Sequence, residues 1–268
     1  MANKTSITIK LDDISIDYLT FGNGKKHLII IPGVGDALLN VKNLANFYKN
    51  KYKMFKDYYK ITVISRRNNM PANFTTLDMA QDIIKLLEHL NINEVDLMGI
   101  SQGGMIAQLI AIKKPELVNK LVLIVTAPCI NKTMEYGVNN WLKMIDNQEY
   151  KLLLKDTALK TYVSRNTKKY LKMFELYTKL LNKKAYEKYQ IMLKACLKHN
   201  TLKELNNIKA DTYIIGAKLD QVVGFEGSVL LKDGIKKAKL KLYEDYSHGV
   251  YNEVKDFNKD VLTFLRGK

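Results

Sequence analysis

The chain has little of what builds a metal centre or a disulfide framework. Its 268 residues include two cysteines and four histidines. Cys129 and Cys196 lie far apart among apolar neighbours, and read as free, buried thiols of a reducing compartment. No His/Cys cluster has the spacing of a ligand set, so neither a metal nor a cofactor is expected. Long apolar runs are missing too. The run Leu28 to Ile31 is the size of a strand, far short of a bilayer span. The opening stretch MANKTSITIKLDDISIDYLTFG alternates and lacks the apolar centre of a secretory leader. An integral membrane segment is excluded on this reading, and a cytoplasmic location is expected.

Arginine is scarce although the formal net charge is +16. Only Arg66, Arg67, Arg165 and Arg266 occur, and lysine carries the rest. Sites that read phosphates or bases favour arginine's planar fork. No basic motif is interleaved with aromatics, so no nucleic-acid partner is expected and the lysines read as solvated surface. The run Ser65-Arg66-Arg67-Asn68 is likewise expected to be solvated loop charge.

What is present is a regular alternation. SITIKLDDISIDYLTFG reads as a hairpin broken near Asp12-Asp13. HLIIIPG is a continuous apolar run ending in Pro-Gly, which marks a buried strand. A helix is predicted from about Leu39 to Lys49, followed by a strand in YKITVISRR. TTLDMAQDIIKLLEHL places Leu77, Ala80, Ile83, Ile84 and Leu87 at helical spacing behind a Thr or Asp cap. EVDLMGI, GGMIAQLIAIKK and KLVLIVTAP then read as strand, helix and strand. Such alternation implies a parallel sheet with helices on both faces. Between about 131 and 209 no strand is predicted, and four helices are, near 133–147, 149–163, 167–182 and 184–199. Residues 131–209 hold 17 Lys/Arg against 7 Asp/Glu, so the charge excess is concentrated there. The alternation resumes with DTYIIGAKLD, a helix near 226–236, the strand in AKLKLYEDYSH, and a last helix from about Glu253 to Leu265.

One junction in this pattern carries chemistry. Gly99-Ile100-Ser101-Gln102-Gly103 fits Gly-x-Ser-x-Gly between a predicted buried strand and a predicted helix. A serine on so sharp a turn projects its hydroxyl above the sheet, and only small residues fit two positions to either side. The bland alternative is a polar residue in a tight turn.

With this junction the chain resembles the α/β-hydrolase family over nearly its whole length. The resemblance implies an eight-stranded, mostly parallel sheet with the nucleophile after the fifth strand. It also implies the chain order nucleophile, acid, histidine. IIGAKLDQVVG offers Asp220 past a later strand, and YEDYSHGV offers His248 past the next. Asp245 is the runner-up acid, though so close in sequence it would have to fold back onto His248. His27, His89 and His199 are poor rivals by position. The resemblance assigns Ser101 as nucleophile, His248 as general base and acid, and Asp220 as its orienting partner. It assigns the oxyanion donors to the backbone N–H groups of Gln102 and Val34. Pro32 stands where the family commonly has histidine, and Gly33 and Gly35 would let the backbone approach substrate. Asp36 reads as a helix cap.

The resemblance makes residues 1–130 and 205–268 the hydrolase core and 131–204 a helical lid. Trp141, Phe174 and Tyr177 could line an acyl pocket, as could Met144, Met173 and Met192. The expected activity is that of a serine hydrolase, carboxylesterase-like, acting on a small-molecule ester or thioester. Lactone, amide, lipid and C–C bond hydrolysis remain open, as does a non-catalytic receptor of the same fold. The oligomeric state, monomer or homodimer, is left open.

Overall fold

The computed structural model describes residues 6–178 and 181–267, with backbone alone at 177 and 178. Strands β1 (Ser6–Leu11) and β2 (Ile14–Phe21) form the expected hairpin, turned at Asp12 with φ of 52°. β3 (Lys26–Ile31) leads through a 3-10 turn, Val34–Ala37, to helix α1 (Ala45–Lys51). β4 (Tyr59–Ile64), α2 (Thr76–His89), β5 (Val95–Ile100), α3 (Gln102–Lys113) and β6 (Val118–Ile124) follow. Four helices occupy the chain between β6 and β7: α4 (Lys132–Asp146), α5 (Tyr150–Thr161), α6 (Ser164–Thr178) and α7 (Lys183–Leu197). β7 (Asp211–Ala217), α8 (Glu226–Gly234), β8 (Ala238–Tyr243), α9 (Val250–Glu253) and α10 (Phe257–Arg266) complete the core.

The eight strands lie in the order β1-β2-β4-β3-β5-β6-β7-β8. β2 is antiparallel to both its neighbours, and every pairing from β4 to β8 is parallel. The continuous apolar runs follow from this arrangement. Side chains alternate across a strand, so a strand covered on both faces is apolar at nearly every position. Ile29, Ile31 and Leu97 pack on one face with Ile83 and Leu87 of α2 and Ile106 and Ile110 of α3. Leu28, Ile30 and Met98 pack on the other with Tyr48 of α1, Tyr52 just after it, and Val261 and Leu265 of α10. The Thr75 hydroxyl accepts the Asp78 N–H while the Asp78 carboxylate accepts the Thr75 N–H, a reciprocal cap that fixes where α2 starts.

Two predicted helices begin elsewhere. The segment after β3 is a 3-10 turn and further turns, and α1 starts only at Ala45. The last predicted helix is two, because Val254 at φ −80° and ψ 121° breaks the chain between α9 and α10. Among the described residues no helix is long and apolar enough to cross a membrane.

Candidate active site

Ser101 stands between β5 and α3 with φ of 54° and ψ of −122°. This is left-handed backbone, uncommon for a residue with a side chain, and it is held from several sides. The Ser101 N–H donates to the Ile124 carbonyl at 2.8 Å, and the Ser101 carbonyl accepts the N–H groups of Gly104 and Met105. The flanking glycines are there for space. A Cβ at Gly99 would stand 2.4 Å from the Gly103 carbonyl oxygen, and one at Gly103 only 2.0 Å from that of Ile31. Gly33 is next to the serine, since a Cβ there would lie 3.7 Å from Ser101 Oγ. At Gly35 a Cβ would meet nothing within 4 Å, so close packing does not account for that glycine.

β7 and β8 end side by side, which brings Asp220 and His248 together from two different loops. His248 Nδ1 lies 2.9 Å from Asp220 Oδ2, with both side chains buried. The other carboxylate oxygen, Oδ1, accepts the N–H groups of Val222 at 2.8 Å and Val223 at 2.9 Å. The carboxylate is therefore aimed by its own loop. An imidazole that donates Nδ1–H to it keeps Nε2 free to accept a proton. Asp245 is exposed, and its carbonyl, not its carboxylate, takes a bond from Arg165. His199 lies elsewhere, buried against Thr76 Oγ1 at 3.0 Å, where burial lowers its pKa to about 3.

Val34 opens the 3-10 turn after β3, and Gln102 opens α3. The first N–H groups of a helical turn have no partner within it, so both can face an incoming anion. The Gln102 side chain is committed elsewhere. Its amide donates to the Met192 carbonyl at 2.6 Å and to Cys196 Sγ at 3.3 Å, both on α7.

Three charged residues near the site differ from expectation. Arg66 is 2% exposed rather than solvated. Its guanidinium donates to the Pro32 carbonyl and, at 3.3 Å, to Gln102 Oε1, while Nε and Nη1 have no partner among the described residues. Arg67 is not solvated either, because it forks onto Asp82 and lies over the Phe74 ring. Asp36 caps no helix. It sits inside the 3-10 turn and accepts the Ser65 hydroxyl and the Arg66 N–H at 2.9 Å, which places a negative charge under Arg66.

A cavity of about 450 Å³ opens beside the elbow, walled at one end by Gly33 and Ile100. Trp141 is not in its wall. It is buried where the inserted helices pack on the core, and its indole N–H donates to Asp156 at 2.7 Å. Met144 and Met192 are buried in the same packing. Phe174 is half-buried and is not among the described lining residues, whereas its neighbour Met173 is. The Tyr177 side chain lies outside the described residues. The sequence reading missed the residues that do line the cavity: Lys51 of α1 and Tyr52 just after it, Tyr162, Tyr170 of α6, and Tyr251 of α9. The aromatic run NFYKNKYKMF was the available signal, since Tyr48 and Tyr52 share a helix face and stack at 6.3 Å. The two cysteines are free, Cys196 buried and Cys129 half-buried.

Residues 26–253 match the family model described as alpha/beta hydrolase fold. Among curated proteins, the chain is 24% identical to a 2-hydroxy-6-oxononadienedioate/2-hydroxy-6-oxononatrienedioate hydrolase of Pseudomonas putida, over 94% of this chain and 92% of that one. Among solved structures, it superimposes on an alpha/beta hydrolase enzyme from a Medee basin deep-sea metagenome library with a TM-score of 0.86, at 18% identity and 98% coverage of each chain. The enol-lactonase of Burkholderia xenovorans superimposes with a TM-score of 0.82 at 14% identity, over 97% of this chain and 100% of that one.

Proposed function

The chain belongs to the alpha/beta hydrolase fold family, and on that premise we propose that it is a serine hydrolase cleaving a small-molecule carboxylic ester or thioester. The observation that carries this reading is the His248–Asp220 contact at 2.9 Å, with Asp220 aimed by two backbone N–H groups. It supplies a base of fixed tautomer in the same fold as a serine on a strand-to-helix elbow. Ser101 Oγ attacks the substrate carbonyl carbon while His248 Nε2 takes its proton. The imidazolium formed is stabilised by Asp220 and then protonates the leaving group. Water, deprotonated by His248, hydrolyses the acyl-enzyme and returns Ser101. The Val34 and Gln102 N–H groups receive the oxyanion of each tetrahedral intermediate, a contribution of about 2.7–4 kcal/mol per donor in measured cases.

Arg66 supports this assembly from below. One guanidinium nitrogen reaches both the Pro32 carbonyl and the Gln102 side chain, so it links the two segments that supply the donors. Residues 131–204 serve as the lid, with α6 over the cavity and α7 tied to the elbow through Gln102.

The Pseudomonas putida relative matches nearly the full chain, and its name describes hydrolysis of 2-hydroxy-6-oxo dioates. C–C bond hydrolysis beside a ketone is therefore the second reading. One experiment separates them. A fluorophosphonate should label the wild type and not Ser101→Ala. A 4-nitrophenyl ester chain-length series is then run beside thioesters, amides, lactones and a 2-hydroxy-6-oxo dienoate. Labelling with ester turnover supports the esterase. Turnover of the dienoate alone supports the second reading, and no labelling of the folded protein sinks both.

A further inference from the structure

The cavity beside Ser101 contains a cation that the hydrolytic chemistry does not use. Lys51, the last residue of α1, lines it together with Gly33 and Ile100. Its ammonium stands over three rings, at 4.6 Å from the centre of Tyr251, 5.6 Å from Phe47 and 5.9 Å from Tyr52. It donates to the Asn252 side-chain oxygen and, at 3.3 Å, to the Tyr251 carbonyl. An ammonium has three N–H donors, so one remains. Among the described residues no carboxylate pairs with it.

A half-buried cation without a counter-ion is costly to keep, and burial lowers the Lys51 pKa to about 7. Packing alone would be served as well by methionine. The rest of the wall suits an anion. Its one acid among the described residues, Asp36, has both oxygens engaged by Ser65 and Arg66. Lys169 lines the same cavity from α6 and is exposed. Five phenols face in, from Tyr48, Tyr52, Tyr162, Tyr170 and Tyr251. Burial holds each of their pKa values above the usual one, so each hydroxyl keeps its proton and can donate it. The cavity wall thus combines backbone beside the elbow serine with an ammonium and neutral phenols.

We propose that Lys51 is the counter-charge for a carboxylate carried by the substrate, so that the cleft selects acyl compounds bearing a second, free carboxylate over neutral ones of equal length. This rests on Ser101 being the nucleophile. The carboxylate fills the third donor of Lys51 and accepts from the surrounding phenols, while the scissile carbonyl lies at the Gly33 end. Lys51 is a specificity-determining residue in this arrangement.

The test compares mono(4-nitrophenyl) glutarate with 4-nitrophenyl pentanoate on wild type, Lys51→Met and Lys51→Arg. A charge-assisted hydrogen bond makes the expected wild-type preference in kcat/KM about tenfold or more for the glutarate ester. That preference should shrink to near unity in Lys51→Met, chiefly through KM, and return in part in Lys51→Arg. A wild type indifferent to the carboxylate overturns the proposal, as does a preference that survives in Lys51→Met. Should Lys51→Met fail to fold, Lys51→Gln takes its place, and the wild-type ratio alone still decides against the idea if it is near one. Glutarate binding to Ser101→Ala, followed by thermal shift, separates this proposal from the catalytic one. A shift abolished by Lys51→Met supports the anion site even where no ester is turned over. An equal shift in both proteins, or none in either, overturns it.

Discussion

The side-chain amide of Gln102 donates to the Met192 carbonyl at 2.6 Å, so the residue after the elbow serine is also the anchor of α7. The same side chain accepts from Arg66 and touches Cys196 Sγ. One residue therefore joins the proposed oxyanion backbone, the buried guanidinium and the inserted helices. Gln102→Ala keeps the backbone N–H and removes this junction, leaving a buried carbonyl and part of Arg66 unsatisfied. The expected cost is about 1–3 kcal/mol of stability, read as a lower urea midpoint. Fluorophosphonate labelling of Ser101 should slow by less than about tenfold, because an oxyanion donor is worth more than that and its N–H is still present. A loss of labelling as large as that of Ser101→Ala would show that the side chain itself acts in catalysis.

Asp220→Asn leaves the shape of the acid loop intact, since an amide oxygen can still accept the Val222 and Val223 N–H groups. It removes the charge facing the imidazolium and favours the wrong tautomer of His248. The expected result is a fall in kcat of about 10³–10⁴-fold with little change in KM. Asp245→Asn, at an exposed position, should leave kcat within about twofold. If the two variants behaved alike, Asp220 would not be the orienting acid.

Most of the fold was legible because its signals are local. Leu28 to Ile31 and Leu97 to Ile100 are apolar throughout, as suits a strand covered on both faces. The Thr75–Asp78 cap and the glycines around Ser101 are likewise short-range patterns. What was not legible depends on distant partners. Arg66 reads as solvated charge until Pro32, Gln102 and Asp36 close around it from other segments. Trp141 reads as a pocket residue until Asp156 of α5 takes its N–H. Lys51 is one lysine among many until α9 brings Tyr251 and Asn252 beneath it.

Gly103→Ala tests how tightly the elbow is built. The added methyl would stand 2.0 Å from the Ile31 carbonyl oxygen and 2.6 Å from that of Pro32. Both are main-chain atoms of β3 and the oxyanion segment, so neither can turn aside. The strand and helix must separate, at a cost of about 1–3 kcal/mol or more. A melting temperature lowered by several degrees is expected, with Ser101 labelling lost or strongly slowed. Gly137→Ala is the control, because a Cβ there meets nothing within 4 Å. It should be neutral or slightly stabilising.

His199 gives the fold a pH dependence separate from catalysis. Burial lowers its pKa from 6.5 to about 3, and its Nδ1 lies against Thr76. The unfolded chain therefore binds the proton first as pH falls. Stability is fully present above about 6.5 and is lost as pH drops towards 3, by roughly 3–5 kcal/mol if the whole shift is expressed. Urea unfolding of the wild type should show this slope, and His199→Gln should flatten it. An unchanged slope in the variant would assign the acid sensitivity to the carboxylates instead.

Lys51 titrates in the same sense at higher pH, and it links stability to ligand binding. Among the described residues, the groups that face it are the ring of Phe47 on its own helix, that of Tyr52 just after it, and the ring and carbonyl of Tyr251. The Asn252 amide oxygen completes the set, while the charges of Asp36 and Lys169 line the same cavity. Burial lowers its pKa from 10.5 to about 7. Between those values the unfolded chain holds the additional proton, so stability rises with pH from about 7 upward, and the penalty of the buried charge is fully present below it. Glutarate needs the ammonium charged, so its affinity should move the other way. It should be constant below about pH 7 and weaken about tenfold for each unit above it. Lys51→Met should abolish both slopes at once, raising stability near neutral pH while losing the anion. A glutarate affinity that is flat from about pH 6 to 9 in the wild type would show that Lys51 does not carry the binding.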